Sequence, residues 1–167
     1  MEYVTLGRTG LGVSVAGLGC GGFSRLGLGT GKSESEAVAL VRQALDLGVN
    51  LLDTAAVYGT EGVVGAAIKS VPRDRVVIAT KAWIPRREGS CAAARAVASL
   101  DNSLKQLGTD YIDIFQLHGV SPKGLRPGAR HHRARASEGA REGQDQISRR
   151  HRNRFLRWRA RDGPPRR

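Results

Sequence analysis

Cysteine is scarce: Cys20 and Cys91 are the two in 167 residues. Neither has clustered partners at metal-ligand spacing, so a disulfide-stapled fold and a cysteine-based metal centre are excluded, and no metal is expected. With no signal peptide at the start, the pattern suits a reducing cytosol, and a cytoplasmic location is expected. No apolar run reaches the roughly 20 residues that a membrane-spanning helix needs, so no membrane partner is expected. The remaining shortage is local. Residues 121 to 167 hold 15 Lys plus Arg against 4 Asp plus Glu, a net +11, whereas residues 1 to 120 hold 12 against 11, a net +1. That tail also lacks valine, tyrosine and methionine and has no helical or alternating apolar pattern. It offers little with which to close a core and is expected to be disordered.

Residues 1 to 120 have a different character. Leu51-Leu52-Asp53, Val76-Val77-Ile78-Ala79-Thr80 and Tyr111-Ile112-Asp113-Ile114-Phe115-Gln116-Leu117 are short runs rich in apolar and β-branched residues. The first two lack polar alternation, as strands buried on both faces do. Helical patterns lie between them. Ser33 with Glu36 forms a capping box, Ala37, Leu40, Val41, Ala44 and Leu45 make a stripe at helical spacing, and Gly48 suits the C-terminal cap. A second helix is expected from about Glu61 to Ser70, with Val64, Ala67 and Ile68 inward. A third is expected from about Ser90 to Leu107, with Val97, Leu100, Leu104 and Leu107 in period. Upstream, Tyr3-Val4-Thr5-Leu6 and Val13-Ser14-Val15-Ala16 flank Gly7-Arg8-Thr9-Gly10 and read as a hairpin, followed by a strand near Gly17-Leu18-Gly19-Cys20. Strand alternating with helix argues for right-handed βαβ units and a parallel sheet, open and doubly wound or closed as a barrel.

Two glycine-rich segments invite a nucleotide-binding reading, and neither fits it. Gly17-Leu18-Gly19-Cys20-Gly21-Gly22 lacks the final glycine spacing of a dinucleotide fingerprint. In Gly27-Leu28-Gly29-Thr30-Gly31-Lys32-Ser33, three residues separate the outer glycines where a P-loop needs four. That segment reads as a flexible loop before the capped helix.

Four polar side chains fall at or just after strand ends: Asp53, Tyr58, Lys81 and His118. In a parallel α/β barrel those ends share one face, so residues distant in sequence meet there. Taken singly, each has a plainer reading as a loop start, a turn, a solvated strand end or a packed histidine. Their joint placement favours an active site.

Asp53-Thr54-Ala55, then Tyr58-Gly59, Glu61, Val64 and Gly65 resemble the signature of the aldo-keto reductases. Leu6-Gly7-Arg8-Thr9-Gly10-Leu11, Gly17-Leu18-Gly19-Cys20-Gly21-Gly22, Thr80-Lys81-Ala82-Trp83 and Asp113-Ile114-Phe115-Gln116-Leu117-His118 match the same family in order. Val49-Asn50-Leu51 departs from it, because many members carry an aromatic residue and an arginine there; the subfamily stays open. The resemblance implies an α/β fold: the N-terminal half of a (β/α)8 TIM barrel, an N-terminal β-hairpin plus strands one to four over residues 1 to 120, followed by the basic tail.

The resemblance also implies a reaction, the NADPH-dependent reduction of an aldehyde or ketone to an alcohol, with a small-molecule carbonyl compound as partner. A free phenol, with its pKa near 10, is a reluctant acid at neutral pH, and a nearby ammonium favours its ionised form. Tyr58 is expected to donate the proton, with Lys81 beside it, Asp53 holding Lys81, and His118 orienting the carbonyl. Gly19, Cys20, Gly21 and Asp53 are expected at the NADPH site, and Trp83 with His118 at the substrate.

The tail supports two readings. An arginine-rich segment ordinarily suggests nucleic acid. Yet Gln144 to Arg152, back-translated and read one base later, can spell Lys-Ile-Arg-Phe-Leu-Gly-Val-Thr-Glu, which resembles the fifth barrel strand of aldo-keto reductases. The same shift over Gly124 to Arg130 can spell Asp-Tyr-Asp-Arg-Ala-Arg-Asp. A single-base frameshift near Pro122-Lys123 is inferred, with non-specific electrostatic binding of nucleic acid and no specific nucleic-acid partner. A sheet stopping at its fourth strand leaves an exposed edge. The 167-residue polypeptide is therefore expected to be inactive, and marginal in stability or prone to aggregate.

Overall fold

The computed structural model describes residues 1–84 and 92–119. Expectations for the tail, and for the third helix before Ala92, lie outside the described residues. Strands β1 (Tyr3–Thr5) and β2 (Gly12–Ser14) pair antiparallel as the expected hairpin. Strands β3 (Gly17–Gly19), β4 (Leu51–Asp53), β5 (Val77–Ala82) and β6 (Ile114–Leu117) form a parallel sheet in that order. Helices α1 (Glu34–Asp46), α2 (Glu61–Ile68) and α3 (Ala92–Leu107) connect them. Strand order decides between the two architectures that alternation left open. A doubly wound sheet reverses direction from its first strand, whereas this sheet adds every new strand on the same side. It is the winding of a TIM barrel, of which four strands are described.

Side-chain alternation sorts the sheet into two faces. Leu52 and Ile78 point to the helices and are fully buried with Val41, Val64, Ala67 and Leu107. Burial of each such large aliphatic side chain contributes about 1.5–3 kcal/mol. Gly19 and Asp53 are register partners, and Asp53 pairs with Ala79, two residues before Lys81, so these four share the opposite face.

The helices form for the expected reasons, with two differences. The capping box of α1 is complete, with Ser33 and Glu36 bonded reciprocally. Helix α2 is buried nearly all round, because it packs against α1 on one side and α3 on the other. Of the stripe expected on α3, Leu107 is buried, whereas Val97 is 51% exposed; Ser103, outside the stripe, is buried with Leu107, which turns Val97 away from the sheet. The segment expected as a flexible loop, Gly27 to Ser33, begins inside 3-10 turns over Arg25–Thr30, with Leu26 in the core and left-handed backbone at Arg25 and Leu26.

The N-terminal ends of the strands are tied by side chains. Asn50 accepts from the Ser14 N–H at 2.7 Å, donates its own N–H to Ser14 Oγ at 3.0 Å and reaches the Gly12 carbonyl at 3.0 Å, docking the hairpin beside β4. Arg73 donates to the Val76 carbonyl (2.6 Å), the Tyr111 carbonyl (3.0 Å), Thr109 Oγ1 (3.0 Å) and Asp113 Oδ2 (2.7 Å). Asp113 also accepts from the Ile78 N–H at 2.8 Å, a bond that occupies the ladder position ahead of β6 and delays that strand to Ile114. These braces leave the opposite strand ends free for a site.

Candidate active site

Each of the four expected residues is delivered by a strand end. Asp53 closes β4, Lys81 is the fifth residue of β5, and His118 follows β6, its backbone N–H donating to the Ala82 carbonyl at 2.8 Å. Tyr58 ends a 3-10 turn, Ala56–Tyr58, that leaves β4 and closes at Gly59.

Their side chains meet. Lys81 Nζ pairs with Asp53 Oδ1 and donates to the Thr54 carbonyl at 3.0 Å. The same ammonium lies 5.5 Å from the centroid of the Tyr58 ring. That ring stands edge to face with His118, centroids 5.4 Å apart and planes at 86°. The Lys81 side chain is 15% exposed and that of Asp53 43%, so the pair opens to solvent through Asp53. An ion pair this open contributes little to stability; its effect is to fix where the ammonium sits. His118 Nδ1 is buried with no partner among the described residues. A phenol, a cation with its counter-ion and an imidazole in one cluster are groups that can serve as an acid, an electrostatic stabiliser and an orienting group.

The profile of the aldo/keto reductase family matches residues 17–124. The chain belongs to the aldo/keto reductase family. It is similar to aldo-keto reductase YhdN of Bacillus subtilis, 39% identical over 130 residues, which cover 73% of this chain and 39% of YhdN. It resembles the crystal structure of a thermostable aldo-keto reductase in complex with the inhibitor epalrestat, 34% identical with a TM-score of 0.62, over 74% of this chain and 44% of that one. It also resembles a Bombyx mori aldo-keto reductase in complex with NADP, 32% identical with a TM-score of 0.57, over 68% of this chain and 36% of that one. The chain spans about two-fifths of the length of these relatives.

In this chain the residues expected at the cofactor differ in what they offer. Gly19 has open space where a side chain would stand, whereas a Cβ on Gly21 would lie 2.5 Å from Cε2 of Tyr58, so a bare backbone there lets the ring approach. Cys20 turns the other way, fully buried in the core. Burial first, then the charge of Asp53, pushes its thiol up to about 12 against the opposing effect of Lys81. Its N–H is already given to the Asp53 carbonyl at 2.8 Å, so neither its side chain nor its amide is free for a ligand. Trp83, just past β5, is 60% exposed.

Four residues given no role by sequence reasoning join the cluster. Thr54 and Thr60 bond through their hydroxyls at 2.9 Å, and Thr80 donates to Glu61 Oε1 at 2.6 Å, all four residues being buried. Thr54 and Glu61 stand within the family signature, but a signature carries no information on which hydroxyl is buried.

Proposed function

We propose that this chain carries the proton-donating part of an NADPH-dependent carbonyl reductase, with Tyr58 as the acid. The observation that carries the reading is the convergence of Tyr58, Lys81, Asp53 and His118 at one end of the parallel sheet. The phenol of Tyr58 donates to the carbonyl oxygen of an aldehyde or ketone. Lys81, held by Asp53 and the Thr54 carbonyl, stabilises the phenolate left behind. His118, beside the Tyr58 ring, orients the carbonyl, and Trp83 walls the substrate.

When bound, NADPH supplies the hydride. The open space at Gly19 and the half-open Asp53 carboxylate fit its nicotinamide end; the space at Gly21 is taken by the Tyr58 ring, and Cys20 fits only as packing beneath. NADP as the cofactor is supported by its presence in the Bombyx mori relative. A cytoplasmic location remains part of the proposal; among the described residues no helix is long and apolar enough to cross a membrane.

The 167-residue polypeptide is proposed to lack turnover, because a barrel binds its ligands with loops from all eight strands. The test therefore uses the product of the same coding DNA with the frame restored after Pro122. That protein is expected to consume NADPH with small aldehydes. Its Tyr58→Phe variant should lose roughly 10²–10⁴-fold in kcat, the usual range for a general acid, with cofactor affinity unchanged by fluorescence titration. Near-parental turnover by Tyr58→Phe would remove Tyr58 from the acid's role.

A further inference from the structure

We propose that Thr54, Thr60 and Glu61 are positioning residues that clamp the Tyr58 turn to the strand carrying Lys81. The inference rests on the reading of Tyr58 and Lys81 as the reacting pair.

Tyr58 sits on a turn between Thr54 and Thr60, and the two hydroxyls, 2.9 Å apart, close that turn at its base. Thr54 has a second attachment, since its carbonyl accepts from Lys81 Nζ at 3.0 Å. One residue thus ties the ammonium to one end of the turn that presents the phenol. The other end is tied by Glu61, the first residue of α2, whose carboxylate accepts from Thr80 at 2.6 Å. Thr80 precedes Lys81 and points to the opposite face of the same strand. The bond to Glu61 therefore sets the height of α2, and of the turn leading into it, against β5.

Chemistry explains why these groups are polar in a core. Glu61 is 4% exposed and Thr54, Thr60 and Thr80 are fully buried, where an unpaired hydroxyl or carboxylate is costly. Apolar residues would fill the space without fixing one geometry. Hydrogen bonds at 2.6 and 2.9 Å do fix it, and proton transfer is sensitive to displacements of about 1 Å.

The test is trace labelling of the folded 167-residue chain with acetic anhydride, which acetylates amines and phenols, read peptide by peptide by mass spectrometry. It needs no turnover, so it separates failure of the clamp from failure of the proposed reaction, which the Tyr58→Phe kinetics address. In Thr54→Val, Thr60→Val and Glu61→Gln, labelling of Lys81 and Tyr58 should rise together by roughly three- to tenfold, the weight of one hydrogen bond. Lys69, Lys105 and Tyr111 should keep their parental rates, and Thr54→Ser should restore the parental pattern at Lys81 and Tyr58. Unchanged labelling at Lys81 and Tyr58 would overturn the proposal. A rise at every lysine and tyrosine alike would overturn it too, because it would mean the clamp merely stabilises the fold.

Discussion

A single residue's face decides its chemistry, as neighbours Cys20 and Gly21 illustrate. Gly21 approaches the Tyr58 ring, whereas Cys20 turns into the core and its thiol is pushed up to about 12, chiefly by burial. Because the folded value exceeds the ordinary 9.0, the thiol's contribution to stability is complete below pH 9 and is lost as pH rises towards 12. At pH 8 the native chain should leave Cys20 unmodified by iodoacetamide, and denaturant should expose it; mass spectrometry of the Cys20 peptide distinguishes the two. Alkylation of native Cys20 at the denatured rate would contradict its place in the core. The strand-end residues Asp53, Tyr58, Lys81 and His118 were legible because the rhythm of strand and helix places them. Their supports were not. Thr54, Thr60, Thr80 and Glu61 carry no local signal of a role, because their partners lie 6 and 19 residues away.

Elements were legible where the signal is local. The Ser33–Glu36 box located the start of α1 because both of its hydrogen bonds lie within four residues. The Arg25–Thr30 turns were missed, since left-handed backbone at Arg25 and Leu26 is not what those residue types signal, and Leu26 is drawn into the core. The box also has a pH dependence. The Ser33 backbone N–H, then its hydroxyl and Lys32, hold the Glu36 carboxyl below its ordinary value, so its support is present above the ordinary carboxylate range and is lost as pH falls through the folded value. Protection of the Glu36 amide in hydrogen exchange, corrected for the intrinsic rate, should fall in acid, and Ser33→Ala should remove that dependence. Packing between α2 and α3 gives a second expectation. A Cβ at Gly65 would meet the Leu107 and Gln106 carbonyls at 2.6 and 2.7 Å, backbone atoms that cannot rotate away. Gly65→Ala should therefore cost about 1–3 kcal/mol in urea unfolding despite alanine's helix preference. Gly62→Ala, whose nearest neighbour would be 3.8 Å away, should be neutral or stabilising by up to about 1 kcal/mol. Equal effects at the two glycines would mean that α2 and α3 are not in close contact.

For the whole molecule, the described fold and the excess positive charge reside in different stretches of sequence. Barrel winding was not legible from periodicity, which an open sheet shares; the motifs pointed to it, and the sequential order of β3, β4, β5 and β6 carries it. Charge was legible at once, with net +1 over residues 1 to 120 and net +11 over residues 121 to 167. The meaning of that charge is a separate matter. A segment so basic attracts nucleic acid whatever its origin, because neutralising phosphates and releasing counterions requires only positive charge. Binding alone is therefore no sign of function. If the segment arises from a shifted frame, its affinity should fall by roughly 10³-fold or more between about 50 and 200 mM salt, as expected for six or more phosphate contacts. It should be equal for single- and double-stranded DNA and RNA of unrelated sequence, and a peptide of residues 121–167 should retain it. A built recognition module behaves otherwise, since base and shape contacts survive when the electrostatic term is screened. Fluorescence anisotropy across salt and ligand type is expected to show the first pattern. A preference of about tenfold or more for one nucleic acid, persisting at physiological salt and lost when residues 1–120 are removed, would instead make nucleic-acid recognition a function of the whole chain.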